Sequence, residues 1–399
     1  MSAGADRHLA VKIALLASMA AATPASAQDT GEFKLGVVTS LSSTFGDEGA
    51  EARNAMQLAL KLLNNKIAGR EVKLSIADDG ANPEMGRQAT DRMIRQEGAH
   101  VVLGAISSAV AIAELPVANQ NKTPLVSITP GPAEIAGKGC SPYFFAVAQQ
   151  NDGQSEAAGQ LAQTRGYKKV IAIAPNYPAG RDAVTGFKRF YQVAPTESEI
   201  FTKVGQLDYS AEIAQIRAAK PDAIFVFLPG GMGVNFIKQF AQADLAKEIQ
   251  MFGPNFSFSQ NVLEGVGEAA VGALNASNWN ADFPNELSKQ FVEEYKKTYN
   301  KTPSGYAAHA YDGIRYLAAA GESLKGKPLT RESLREALAN LKTFDSVRGK
   351  ITFERDQFPV QTYYLLKVIK TADGHVTNET IEPILKDRGN AYVDQCNMK

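Results

Sequence analysis

Hydrophobic and polar positions along the chain follow two alternating patterns: short apolar runs, and longer stretches in which apolar residues recur with a helical period. Short apolar runs predict buried strands, and apolar residues three and four positions apart predict amphipathic helices. In the first half, strands are predicted at residues 33–38, 72–77, 101–103 and 124–128, with helices at 48–65, 83–97 and 109–119. This alternation, repeated at intervals of about 25–30 residues, predicts βαβ crossovers and a parallel sheet.

The same alternation begins again after residue 151 and predicts a second α/β domain. Its strands are predicted at 169–174, 199–202 and 223–228, and its helices at 156–165, 181–193, 211–219 and 234–243. Two helices at 287–299 and 306–324 follow, and the last strong strand pattern covers 360–368. Two similar lobes predict a ligand cleft between them, because ligands of open α/β sheets bind beyond the carboxyl ends of the strands.

The N-terminal segment has the pattern of an export signal. Arg7 and Lys12 precede an apolar run at 13–22, and the small residues at 25–27 form a cleavage site. The apolar run is about ten residues long, which is too short for a membrane-spanning helix of roughly 20 residues. We therefore predict a signal peptide at residues 1–27, cleavage near Ala27 and a mature protein free in the periplasm.

Composition and charge narrow the range of functions. The 399 residues are enough for a signal peptide and two domains of roughly 100–200 residues each. Lys and Arg together number 42, as do Asp and Glu, so the chain has no electrostatic footprint for a nucleic-acid partner. The hydrophobic content of 44% is that of a globular chain with a sizeable core.

Motifs for catalysis, metals and cofactors are absent from the sequence. The four histidines lack metal-ligand spacing, and neither His-Glu-x-x-His nor Gly-x-Ser-x-Gly occurs. Residues 230–233 follow a predicted strand, but Phe236 stands where a dinucleotide fingerprint needs its third glycine. We therefore expect no enzyme activity, no metal and no cofactor.

The two cysteines, Cys140 and Cys396, are favoured to form a disulfide, because the predicted compartment is oxidising. Such a bond would hold the C-terminal tail near residue 140. Two unpaired thiols remain the alternative.

Small and polar residues follow the predicted strands of both halves. These loops lie at 39–46, 104–108, 129–133, 175–180, 229–231 and 253–256. Ser107 and Ser108 stand at the start of a predicted helix, where free N–H groups and the positive end of the helix dipole favour a carboxylate. Each loop is ordinary by itself, but six of them at equivalent strand ends predict a binding site in the cleft.

With these motifs the chain resembles the type I periplasmic solute-binding proteins of ABC transporters, in the Leu/Ile/Val-binding group. The resemblance is carried by residues 33–39, 104–108, 129–131, 176–182, 208–210 and 311–313. It implies the α/β periplasmic-binding-protein type I fold, with two Rossmann-like lobes that contain parallel sheets and are joined by a three-strand hinge. It also implies a monomer that binds a small molecule and docks on an inner-membrane ABC permease.

The resemblance further implies how the chain divides between the lobes. Residues 28–149 and 280–350 would form the first lobe, and residues 150–279 and 351–386 the second. Residues 387–399 would form a C-terminal tail. The lobes would close on the ligand about the hinge.

The resemblance also assigns roles at the ligand site. Ser108 matches the family serine that holds the ligand carboxylate, and residues 129–131 match the neighbouring contacts. Amino-acid binders of this group place a glutamate after Gly-Pro to pair with the ligand ammonium, whereas Asn255 stands here. A neutral amide cannot neutralise a buried ammonium. Ala133 likewise replaces a threonine of the family.

We therefore hypothesise that the ligand is a carboxylic acid without an α-amino group, and favour an aromatic acid such as benzoate or hydroxycinnamate. The predicted ligand-binding residues are Thr44, Phe45, Ser107, Ser108, Thr129, Pro130, Gly131, Tyr177, Gly230, Gly231, Asn255 and Phe256. Phe45, Tyr177 and Phe256 would supply aromatic walls. The alternatives are a branched-chain or other amino acid, whose ammonium Asp152 or Glu264 would pair, and a ligand-sensing protein that acts on a signalling partner.

Overall fold

The described residues, which are 1, 31–193 and 198–398 of a computed structural model, contain fifteen strands and twelve α-helices. Apart from Met1, the predicted signal peptide and its cleavage site lie outside them. The strands are β1 (Glu32–Thr39), β2 (Lys66–Ile67), β3 (Arg70–Asp78), β4 (Val101–Gly104), β5 (Leu125–Ser127), β6 (Phe144–Ala146), β7 (Val170–Pro175), β8 (Ser198–Thr202), β9 (Ala223–Val226), β10 (Gln250–Pro254), β11 (Leu274–Ser277), β12 (Thr343–Ser346), β13 (Gly349–Phe353), β14 (Pro359–Lys370) and β15 (Val376–Arg388). The helices are α1 (Gly46–Leu62), α2 (Pro83–Arg95), α3 (Ser108–Gln120), α4 (Ala133–Ala136), α5 (Gly153–Arg165), α6 (Pro178–Phe190), α7 (Ser210–Ala219), α8 (Gly231–Gln242), α9 (Gln260–Val266), α10 (Glu286–Tyr299), α11 (Gly305–Gly321) and α12 (Arg331–Asn340).

Two sheets form the framework of the described residues. The first sheet has six strands in the order β2-β3-β1-β4-β5-β6, which are parallel except that β2 pairs antiparallel with β3. The second has nine strands: β12-β13-β14-β11-β10-β9-β7-β8, with β15 paired to β14. Strands β7 to β11 are parallel, and β12 to β15 pair antiparallel. Both sheets therefore have the predicted parallel core, with antiparallel strands added at the edges.

Helix α2 begins where the sequence predicts it. The Oδ1 atom of Asn82 accepts hydrogen bonds from the backbone N–H groups of Glu84, at 2.9 Å, and Met85, at 3.1 Å. Pro83 occupies the first helical position, where a missing N–H loses no partner. The asparagine cap and the proline after it both favour a helix start at this position.

The strand predicted at 360–368 is present, but it is not the last strand of the chain. Strand β14 contains it, and the thirteen-residue strand β15 follows and pairs antiparallel with β14. Among the residues of β15, only Asn378 is buried. Val376, Ile384 and Leu385 of this edge strand pack only partly against the core, so its sequence lacks the regular apolar alternation by which strands are predicted.

The core surrounds the parallel strands. Strands β4, β5, β7 and β9 are buried along their whole length, which is typical of parallel strands with both faces covered. Helix α2 packs against α3, and α1 packs against α11, so the chain returns to the first sheet after β11. The predicted lobe bounds place residues 280–350 in the first lobe, and we keep them as a proposal that agrees with this packing. In the described part of the chain, no helix has the length and apolar character needed to cross a membrane.

A disulfide joins Cys140 to Cys396, 256 positions apart in sequence. The C-terminal tail, residues 387–398, also contacts the segment before α5 and the end of α6 through Tyr392. The hydroxyl of Tyr392 donates to Oδ2 of Asp152 at 2.9 Å, and the guanidinium of Arg189 lies 5.3 Å from the centre of the Tyr392 ring. The tail therefore connects the Cys140 loop, beside the first sheet, to helices that flank the second.

Replacing both cysteines with serine is expected to lower the free energy of unfolding by about 2–4 kcal/mol, because the bond restricts a long loop of the unfolded chain. Urea unfolding of the wild type and of Cys140→Ser/Cys396→Ser measures the difference. Wild type kept under a reductant is the control and should match the variant. A loss below about 1 kcal/mol would contradict the prediction.

Candidate functional site

A small cavity lies where the carboxyl ends of the two sheets meet. Clefts of this kind are where open α/β sheets bind small molecules. Its walls combine five aromatic side chains, three polar residues and four small or aliphatic residues. They are Phe45, Tyr177, Phe227, Phe256 and Tyr306; Ser108, Thr129 and Asn151; and Ile106, Pro130, Ala179 and Pro229.

The aromatic side chains form a connected series around the cavity. The ring centres of Phe45 and Tyr177 are 6.3 Å apart, and Tyr177 stacks on Phe227 at 6.4 Å. Phe227 meets Phe256 edge-on at 6.1 Å, and Phe256 lies 5.4 Å from Tyr306. Such walls favour a flat apolar group, because aromatic rings attract one another in stacked and edge-on geometries.

Two hydroxyl groups give the cavity a polar region. Thr129 follows β5, and its Oγ1 atom is buried with no hydrogen-bond partner among the described residues. Ser108 is the first residue of α3, where backbone N–H groups lack partners within the helix. A buried polar group without a partner costs about 1–3 kcal/mol, so Thr129 is better satisfied when a ligand supplies an acceptor.

No charged side chain lines this cavity, but two carboxyls lie close behind its walls. Asp182 accepts from the backbone N–H of Ala133 at 3.1 Å and from Nδ2 of Asn151 at 2.8 Å. Burial, followed by repulsion from Asp152, raises the pKa of Asp182 to about 6. Glu48 accepts from Nδ2 of Asn261 at 2.9 Å, and burial raises its pKa to about 7.

Replacing Glu48 with glutamine is expected to stabilise the protein more at pH 8 than at pH 5. The pKa of Glu48 rises from 4.5 to about 7 on folding. The stabilising contribution of its protonated form is therefore complete below pH 4.5 and is lost as the pH rises through 7. Urea unfolding should show a gain that differs between the two pH values by on the order of 2 kcal/mol.

Glu286→Gln is the matched control for this measurement, because the Glu286 side chain is exposed at the start of α10. Its effect should be small and should change little between the two pH values. An equal stability change for Glu48→Gln at pH 5 and pH 8 would contradict the assignment.

The cavity brings together six of the twelve residues predicted from the sequence. These are Phe45, Ser108, Thr129, Pro130, Tyr177 and Phe256. Thr44, Gly230 and Gly231 line a wider opening beside the cavity, together with Glu48. At Gly230 the backbone φ is +60°, and a Cβ would lie 2.7 Å from the Glu48 carboxyl, so only glycine fits there.

The other three predicted residues lie outside the cavity lining. Ser107 is buried at the N-cap position of α3, where its side chain makes no capping hydrogen bond. A Cβ on Gly131 would lie 2.1 Å from the carbonyl oxygen of Gln149, so glycine is required for this close approach. Asn255 donates from Nδ2 to Oδ1 of Asn275 at 2.9 Å.

Neither acid considered as an ammonium partner lines the cavity. Oδ2 of Asp152 accepts from Nη1 of Arg189 at 2.7 Å and from the hydroxyl of Tyr392, and is thereby already paired. Glu264 is exposed and lines a separate surface groove. An ammonium group in the cavity would therefore find no carboxylate among the residues that touch it.

Sequence reasoning missed three of the residues that shape the cavity most. Phe227 lies in the strand predicted at 223–228, and Tyr306 lies in the first turn of α11, within the helix predicted at 306–324. Asn151 lies in the segment between β6 and α5. The available signal was the position of Phe227 at the end of a predicted strand, two residues before the loop at 229–231, because the other selected loops also follow strand ends.

The chain is similar to known proteins along most of its length. The family model for periplasmic binding proteins matches residues 32–374. Leu/Ile/Val-binding protein homolog 6 of Brucella melitensis is 26% identical over 383 residues, which cover 94% of this chain and 97% of that protein. A solute-binding protein of an ABC transporter from Rhodopseudomonas palustris BisB5, solved with 3,4-dihydroxybenzoic acid, is 30% identical with a TM-score of 0.84, and the match covers 90% of this chain and 99% of the other. Another from R. palustris, solved with benzoate, is 25% identical with a TM-score of 0.86, and the match covers 92% and 100%.

Proposed function

The chain belongs to the periplasmic binding protein family, and on this premise we propose that it is the solute-binding component of an ABC importer for an aromatic carboxylic acid of about the size of benzoate. The family implies a periplasmic location and a binding role. We further propose that the ligated protein delivers its solute to an inner-membrane permease, as the resemblance to transporter components implies.

One observation carries the choice of solute: the cavity combines aromatic walls with hydroxyl donors and no charged side chain. A benzoate-like ring would pack among Tyr177, Phe227 and Phe256. Its carboxylate would accept hydrogen bonds from Thr129 and Ser108 beside the start of α3, where the helix dipole favours an anion. The two R. palustris proteins, solved with benzoate and with 3,4-dihydroxybenzoic acid, support the same class of ligand.

A branched-chain amino acid is the second candidate, since a curated relative is named for leucine, isoleucine and valine. Its ammonium group would need a carboxylate, because an unpaired charge buried in an apolar cavity is strongly unfavourable. The nearest described acids, Glu48 and Asp182, lie behind the walls and carry raised pKa values. The site therefore favours a ligand without an amine.

Thermal unfolding with added ligands tests the proposal. Benzoate, 4-hydroxybenzoate and 3,4-dihydroxybenzoate are each expected to raise the Tm, since a ligand at 100 times its Kd adds about 2.7 kcal/mol of stability. Leucine and isoleucine at the same concentrations serve as the comparison. Stabilisation by leucine with none by any aromatic acid would overturn the proposal in favour of the second candidate.

A further inference from the structure

The side chain of Asn151 holds together three groups at the polar region of the cavity. Its Oδ1 atom accepts from the backbone N–H of Gly131 at 2.8 Å. Its Nδ2 atom donates to Oγ of Ser108 at 3.1 Å and to Oδ2 of Asp182 at 2.8 Å. The backbone N–H of Asn151 also donates to the carbonyl oxygen of Gly131 at 2.9 Å, which fixes the two loops against each other.

The orientation of this amide is determined by its partners. A backbone N–H can only donate, so the atom facing Gly131 must be the oxygen. An ionised carboxylate can only accept, so the atom facing Asp182 must be the nitrogen. Both hydrogens of Nδ2 are then committed, one to Asp182 and one to Ser108.

This arrangement determines what Ser108 can offer to a ligand. A serine hydroxyl has one hydrogen to donate and two lone pairs that accept. The hydrogen bond from Asn151 occupies one lone pair, and the Ser108 hydrogen has no acceptor among the described residues. The hydrogen is therefore available to the cavity, where Ser108 and Thr129 both act as donors.

Asp182 keeps Asn151 in this orientation from the opposite side of the cleft. It lies in the first turns of α6, which flanks the second sheet, whereas Ser108 and Gly131 follow strands of the first. The same carboxylate oxygen accepts from the backbone N–H of Ala133. The contact between Asn151 and Asp182 forms only when the two sheets lie close together. The orientation of Asn151, and with it the hydrogen that Ser108 can donate, therefore depends on how the sheets approach each other.

We infer that Asn151 is a positioning residue that, held by Asp182, makes Ser108 a hydrogen-bond donor and so lets the site select a carboxylate over the corresponding carboxamide. The inference rests on the proposed function and explains how the site would distinguish an anion from a neutral ligand of the same shape. Benzoate and benzamide are such a pair, because they share the ring and nearly the same size but only benzoate is charged.

The exchange variant Asn151→Asp/Asp182→Asn tests the inference, because it conserves net charge, composition and nearly all volume. An aspartate at 151 accepts from an asparagine at 182 and from Ser108, so the serine turns its hydrogen away from the ligand. Isothermal titration at pH 8, above the pKa of about 6 for Asp182, gives the Kd of benzoate and benzamide for each protein. The ratio of benzoate to benzamide affinity is expected to fall about 10–100-fold in the exchange variant.

The single variant Asp182→Asn separates charge from orientation. Removing a negative charge near the site would by itself raise the affinity for benzoate relative to benzamide, whereas weakening the acceptor that holds Nδ2 of Asn151 would lower it. The ratio is expected to fall, though less than in the exchange variant, and a rise would overturn the role given to Asp182.

Asn151→Ala provides a second test if the exchange variant does not fold, since it removes the donor without adding a carboxylate. The affinity ratio should again fall, though less than in the exchange variant. An unchanged ratio in a folded variant that still binds benzoate would overturn the inference and leave the proposed function intact. Failure of the wild type to bind any aromatic acid would instead overturn the proposed function.

Discussion

Replacing Ser108 with alanine and Thr129 with valine together is expected to raise the Kd for benzoate by about 10²–10⁴-fold. Each hydroxyl would donate to the ligand carboxylate, and a hydrogen bond to a charged group contributes about 1.5–3 kcal/mol. Isothermal titration with benzoate measures the loss. The free energy of unfolding without ligand should not fall on account of Thr129→Val, because valine is close in shape and removes an unpaired buried hydroxyl.

Thr39→Val is the matched control, since the Oγ1 of Thr39 is also buried without a partner but does not line the cavity. Its effect on the Kd should stay below about threefold. If Thr39→Val weakened benzoate binding as much as the double replacement, the loss would reflect general loosening of the fold. A double variant that bound benzoate normally would remove the two hydroxyls from the proposed site.

Replacing Arg348 with methionine is expected to lower the free energy of unfolding by about 3–5 kcal/mol, because it leaves a buried carboxylate without its counter-charge. Arg348 and Asp312 are both buried, with Nε of Arg348 3.0 Å from Oδ2 of Asp312. The guanidinium also donates to the carbonyl oxygens of Val147 and Ala148 and to Oε1 of Gln361. One side chain therefore connects the segment that follows β6 with helix α11 and strand β14.

Urea unfolding measures this effect, and two variants calibrate it. Arg335→Met removes an arginine that pairs with Glu332 on the surface of α12, and should cost less than about 1 kcal/mol. The double variant Asp312→Leu/Arg348→Met removes both buried charges and should recover part of the loss. A loss for Arg348→Met no larger than for Arg335→Met would contradict the role given to the buried pair.

The parallel core of the fold could be predicted from the sequence, and its edges could not. Strands such as β4 and β7 are buried on both faces and give continuous apolar runs, which are a strong signal. Strand β15 pairs along one edge with β14 and is mostly polar, so nothing in its composition sets it apart from a loop. Its place in the sheet depends on pairing with distant residues, which a local pattern does not contain.

The site could be predicted as far as it depends on strand ends. Six predicted residues line the cavity because loops after parallel strands meet at one edge of a sheet. Tyr306 reaches the same cavity from the start of α11, and Asn151 from the link between β6 and α5. These two positions become part of the site only through packing of segments far apart in sequence. The departure at Asn255 led to the hypothesis of a ligand without an amine, but this side chain does not line the cavity, and its Nδ2 atom donates to Oδ1 of Asn275.

The order of Cys140 and Cys396 along the chain has a consequence for biogenesis. Cys140 is synthesised 256 positions before its partner, so the bond can form only after the strands and helices between them have been made. In the proposed periplasmic compartment, oxidation would therefore come late in maturation. Protein produced in a reducing cytosol would lack this bond.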